Sequence, residues 1–167
     1  GEGAWNRALD LYHQALHLLR TPEERPEIAQ THSQIGSVYQ GQGNWEKALE
    51  SYRASLAIRE ALGDTPGMAL LFNNLGAVYA RQERWEEARQ TWAKCLALHE
   101  GVGDHAGQAI TLGNLGSLAQ RQGHWEEALT WYERSLPLYR ETGDALGEAT
   151  IHNNVGFVQK HLDDLGK

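Results

Sequence analysis

Large apolar residues return every three or four positions through much of the chain. In WEKALESYRASLAIREALGD, residues Trp45, Ala48, Leu49, Tyr52 and Leu56 fall at i, i+3, i+4, i+7 and i+11. That spacing covers one face of a 3.6-residue helix. Gly63-Asp64 follow, and Gly103-Asp104 and Gly143-Asp144 occupy matching places downstream. A glycine just past a helix can close it in the left-handed conformation. The aspartate can then cap the next helix. Pro66 falls early in that next helix, where its missing N–H costs little. A second set of breaks, Gly43-Asn44, Glu83-Arg84 and Gly123-His124, precedes the next tryptophans. The stretch LLFNNLG from Leu70 to Gly76 is harder to place, because two amides and a glycine interrupt an apolar run.

The period resolves it. Trp5, Trp45, Trp85 and Trp125 are spaced by 40 residues. Ala8, Ala48, Ala88 and Ala128 keep the same register, as do Tyr12, Tyr52, Trp92 and Tyr132, then Leu16, Leu56, Leu96 and Leu136. A second block repeats as Ile35-Gly36, Leu75-Gly76, Leu115-Gly116 and Val155-Gly156. Four copies in register predict an all-α chain of alternating helices, A and B. The predicted order is B 4–20, A 27–42, B 44–62, A 66–82, B 84–102, A 106–122, B 124–142 and A 146–162, in a single array over 1–167. The chain opens on Gly1 without a methionine and is read as a segment of a longer protein. The first B helix lacks an A partner and the last A helix lacks its B. Both ends are therefore expected to expose apolar faces and to support self-association.

These positions resemble the tetratricopeptide repeat family over nearly the whole chain. The family's large residue, Leu-Gly and Tyr on helix A correspond to Phe72, Leu75-Gly76 and Tyr79. Its Ala, aromatic and small residue on helix B correspond to Ala88, Trp92 and Cys95. The usual repeat is about 34 residues. The longer period here, with its Gly-Asp turn, resembles the variant in LGN/Pins-type polarity adaptors, kinesin light chains, and bacterial MalT-like and related signalling ATPase arrays. The resemblance implies a right-handed superhelical solenoid of antiparallel helix pairs, with helices A lining a concave groove and helices B forming the outer wall. Ala119 and Gln159 replace the helix A tyrosine, which predicts thinner packing towards the C-terminus. Pro137 lies inside a B helix and is expected to kink it.

Family geometry sends one stripe of each helix A to the groove. In LLFNNLG that stripe is Leu70, Asn73, Asn74, Ala77 and Arg81, a different face from Ala69, Phe72, Gly76 and Tyr79. Its counterparts include Gln30 and Gln34; Ile110, Asn114, Ser117 and Arg121; and Asn153, Asn154, Phe157 and His161. One position is an amide in every copy: Gln34, Asn74, Asn114 and Asn154. An amide both donates and accepts, so a ladder of them can hold the backbone of an extended peptide. Amides bridging neighbouring repeats, or facing water, are the alternative. Leu70 and Ile110 would form apolar pockets, and Arg81 and Arg121 would offer forks to carboxylates.

Composition narrows the function. Net charge is -7, with 22% charged and 41% hydrophobic residues. An acidic chain argues against a nucleic-acid surface. No segment is apolar over the length a membrane span needs. Glutamates concentrate on the B helices while the groove stripe carries Arg81 and Arg121, which points to an extended peptide of acidic character. A single cysteine suits a reducing, cytoplasmic setting. Cys95 shares its register with Ala15, Ser55 and Ser135, as a packing residue would. His13 and His17 form an i, i+4 pair too small for a closed metal site and read as surface histidines. His32 and His152 stand at the position filled by Phe72 and Leu112, so partial burial is expected. The tryptophans read as inter-helix packing, and Glu86-Glu87 and Glu126-Glu127 as first-turn acids. No catalytic set, cofactor or metal is indicated. The reading is a protein-interaction scaffold that binds an extended peptide in its groove. The alternative is a sensor or regulatory module of a larger bacterial signalling protein.

Overall fold

A computed structural model describes residues 2–19 and 21–166. The described residues form eight α-helices and no strand: α1 (Glu2–Leu18), α2 (Arg25–Gly41), α3 (Trp45–Leu62), α4 (Thr65–Arg81), α5 (Trp85–Val102), α6 (His105–Arg121), α7 (Trp125–Thr142) and α8 (Ala145–Leu165). A 3₁₀ turn, Pro22–Glu24, leads into α2. The predicted end of the first helix at position 20, and the array limits at 1 and 167, lie outside the described residues. The helices group into two compact units, Gly1–Arg84 and Trp85–Lys167. In the first, α1 packs on α2, α2 on α3 and α3 on α4; in the second, α5 packs on α6, α6 on α7, and α8 on both α7 and α6.

The turns explain the register. Gly63, Gly103 and Gly143 take φ of 67°, 69° and 72°, a conformation that costs an L side chain about 1–2 kcal/mol. The aspartate after each then caps the next helix. Asp64, Asp104 and Asp144 accept hydrogen bonds from the backbone N–H of Gly67, Gly107 and Gly147 at 3.0, 2.9 and 2.9 Å. Each capped glycine lies under a side chain from the preceding helix: Arg59, His99 and Tyr139 occupy the space its Cβ would need. Arg59 forms an ion pair with Asp64, and His99 Nδ1 stands 2.8 Å from Asp104 Oδ2. The glycine N–H is the largest cause holding the Asp64 and Asp104 carboxyls below their ordinary pKa.

Within the pairs, Tyr52 lies across Gly36, and Tyr132 across Gly116. A Cβ at those glycines would stand 2.6 and 2.5 Å from the rings. Both tyrosines are fully buried, as are Ala48, Ala88, Ala128 and Val158. Burial pushes both phenols up in pKa, which keeps each a hydrogen-bond donor.

Several sequence expectations change. Gly156 shares the register of Gly36 and Gly116, yet nothing lies within 4 Å of where its Cβ would be. Ala69, Gly76 and Tyr79 are buried on α4 as predicted, but Phe72 is only half-buried while its neighbour Leu71 is fully buried. His152 is exposed, with Nε2 3.5 Å from Glu148 Oε1 on the same helix, while His32 is half-buried where α1, α2 and α3 meet. Ala119 is itself buried, in a cluster that includes Tyr132, Tyr139 and Ile151. Gln159 is exposed. Pro137 lies inside α7, Trp125–Thr142, and is exposed on its surface; the kink expected there is a matter of helix-axis direction and stays an expectation.

Candidate functional site

In the first unit the stripe on α4 separates from its core. Leu70 is 52% exposed while Leu71 and Val78 are fully buried. Asn73, Asn74 and Ala77 are half-buried, and Arg81 is exposed. Across from them, α2 presents Gln30, Gln34 and Ser37. Gln34, Leu70 and Asn74 line one cavity of about 460 Å³, to which α1 contributes Trp5 and Tyr12. Asn74 and Arg81 line an adjoining cavity of about 550 Å³ together with Trp45 and Tyr52. Asn73 and Ala77 line neither. No hydrogen bond joins Gln34 to Asn74, and among the described residues neither amide is paired within the protein. Half-buried amides with open donors and acceptors, beside an exposed leucine, make a surface able to hold a peptide group.

The hydroxyls nearby are committed. Tyr52 donates to Gln40 Oε1 at 2.6 Å, and its oxygen lies 3.2 Å from Ser37 Oγ. The second unit repeats the arrangement, with Tyr132 bonded to Gln120 Oε1 at 2.8 Å and to Ser117 Oγ at 3.1 Å. Ser117 therefore belongs to the clasp between α6 and α7.

In the second unit, Ile110 is 47% exposed, Asn114 and Asn154 are half-buried, and Asn153 is exposed. Arg121 holds its guanidinium 4.9 Å from the centre of the Trp85 ring, a cation–π distance. His161, at the same repeat position, stacks on Trp125 at 4.7 Å, and Phe157 joins them at 4.3 Å from the imidazole. Phe157 remains 47% exposed. The tryptophans thus do more than pack helices: Trp5 and Trp45 line the cavities, and Trp85 and Trp125 carry a polar side chain on their faces. The 40-residue register contained the signal, since positions 81, 121 and 161 each stand 36 residues after a tryptophan. Reading the tryptophans as packing alone obscured it.

Cys95 is fully buried, with Sγ 3.5 Å from Thr111 Oγ1. Among the described residues no three His, Cys, Asp or Glu side chains are grouped to hold a metal ion. No described helix is long and apolar enough to cross a membrane.

Eight helices in a 40-residue repeat, closed by aspartate-capped turns and aromatic–glycine contacts, define a helical-repeat protein of the interaction-module class. The chain belongs to the tetratricopeptide repeat family, whose model matches residues 2–64, 67–141 and 114–167. Its fold is similar to that of BtubC (BKLC) from P. vanneervenii, with TM-score 0.74 and 20% identity over 97% of this chain and 76% of that one. It is also similar to aspartyl phosphate phosphatase F from Bacillus subtilis, with TM-score 0.86 and 15% identity over 93% of this chain and 41% of that one. For the apo form of RapI the TM-score is 0.88 and the identity 14%, over 98% and 45%. The chain thus spans less than half the length of the last two. No curated protein sequence matches the chain.

Proposed function

We propose that the chain binds an extended peptide of a protein partner along the face that carries Gln34, Leu70 and Asn74. The observation that carries this reading is the pairing of an exposed Leu70 with two open, half-buried amides in one cavity of the first unit. Amides supply backbone hydrogen bonds, and Leu70 with Trp5 supplies an apolar seat. Arg81, in the adjoining cavity, suits a partner carboxylate. Ile110, Asn114, Arg121, Asn153, Asn154 and Phe157 are the corresponding residues of the second unit, where Asn114 and Arg121 already interact within the protein. Panning a library of short extended peptides on the protein tests this. The selected peptides should bind about tenfold more weakly to a Gln34→Ala/Asn74→Ala variant, as two lost hydrogen bonds imply. They should also bind more weakly to Arg81→Glu/Arg121→Glu. Equal binding to all three proteins would refute the reading.

Self-association is a second reading, favoured by Leu18 on α1 and Leu146 on α8, which are 78% and 80% exposed. Sedimentation over a range of concentrations tests it, and a constant monomeric mass would refute it.

A further inference from the structure

The first unit contains another cavity, of about 240 Å³, where α1, α2 and α3 meet. It shares no lining residue with the two cavities beside Asn74. Its apolar part is Leu16, Ile35 and Ala54; its nitrogen groups are His13 from α1, His32 from α2 and Lys47 from α3. Among the described residues neither imidazole has a hydrogen-bond partner, and Lys47 has no carboxylate partner. The Lys47 ammonium lies 5.2 Å from the centre of the Tyr39 ring. Glu50 is the one acid on the lining; it is exposed and forms no ion pair with Lys47. Three nitrogen groups from three helices thus converge on a small space with an apolar floor.

We propose that this cavity binds a carboxylate carried on a short apolar body. A carboxylate accepts several hydrogen bonds at once, and bonds to an ammonium or imidazolium are among the stronger ones. The volume falls below that of pockets for drug-sized ligands, which restricts the occupant to a small free acid or to one acidic side chain of a partner. Binding draws a proton to the site. Burial first and the neighbouring His13 second hold the His32 pKa down. An anion between the imidazoles offsets both effects. Tyr39, Lys47 and Glu50 are the other titratable groups facing them.

The test is NMR of the histidine side chains of the full chain, titrated with sodium butyrate, with butylamine as the cationic control and a blocked glutamate peptide as a second probe. Saturable shifts of the His13 and His32 resonances are expected with butyrate or with the peptide, and none with the amine. Saturation by butyrate identifies a free acid, and saturation by the peptide alone identifies a partner side chain. Affinity should rise about threefold as the pH falls from about 7.5 to about 6, and Lys47→Gln should weaken it about tenfold. His13→Gln alters an exposed residue, so it keeps the test valid should His32→Gln unfold. The absence of saturable shifts with both acids, or shifts unchanged in Lys47→Gln and His13→Gln, would overturn the proposal.

Discussion

Replacing Gly116 by alanine places a methyl group 2.5 to 3.0 Å from three carbon atoms of the Tyr132 ring. The ring is fully buried and cannot swing into solvent. It is also tethered at its far end by the bonds to Ser117 and Gln120. Relieving the contact means moving the ring by roughly an ångström, and overpacking of this kind costs about 1–3 kcal/mol. Stretching the two hydrogen bonds adds about 1 kcal/mol. The better helix propensity of alanine offsets about 1 kcal/mol. The net loss is about 2 kcal/mol, a fall in Tm of about 4–8 °C for a chain of this length. Gly156→Ala is the control built into the same register. Its methyl group meets nothing within 4 Å, so only the propensity gain of about 1 kcal/mol remains and Tm should rise. Thermal and urea unfolding followed by circular dichroism measure both variants. Shifts of the same sign at the two glycines would refute the argument that ring contact, and not helix propensity, sets the glycine requirement.

Other expectations follow from single residues. Glu83 holds φ of 60° without being glycine, so Glu83→Gly should stabilise by up to about 1 kcal/mol in a urea titration, since relief of strain exceeds the added chain entropy. Asp104→Ala removes the cap of α6 and should cost about 1 kcal/mol. Because the Asp104 carboxyl is held below its ordinary value of 3.8, its contribution is present above that value and is lost as the pH falls through the lower, folded one. Urea titrations at acid pH should show that dependence reduced in the variant. Leu70→Ala, at a half-exposed position, should change stability by less than about 0.5 kcal/mol while weakening binding of the selected peptides, which separates a binding role from a folding one.

The helices and their caps were legible because each depends on neighbours within one 40-residue copy. Asp64 finds the Gly67 N–H three residues on, and Gly63 closes α3 where its φ demands a glycine. Burial was less legible, because it depends on which helix lies opposite. Sequence register equates His32 with His152 and Gly36 with Gly156, yet His152 meets solvent and Gly156 meets open space. On α4, Ala69, Gly76 and Tyr79 are buried as the register implies, yet Leu71 and not Phe72 is fully buried, which helical periodicity alone does not resolve. The amide ladder was visible as a repeated residue type. The walls that Trp5, Tyr12 and Trp45 add to it were not, since those residues also satisfy a packing pattern.

The side chains that overlie the capped glycines bear on how a repetitive chain folds correctly. Each stands five residues before an aspartate and eight before the glycine it covers, so the contact closes within one corner of the chain at little loop-closure cost. Every copy can therefore set its own corner before a distant copy is engaged, and contacts this local favour rapid folding. Arg59, His99 and Tyr139 cover the three glycines with different chemistry, so the corner demands bulk over the glycine and not one particular side chain.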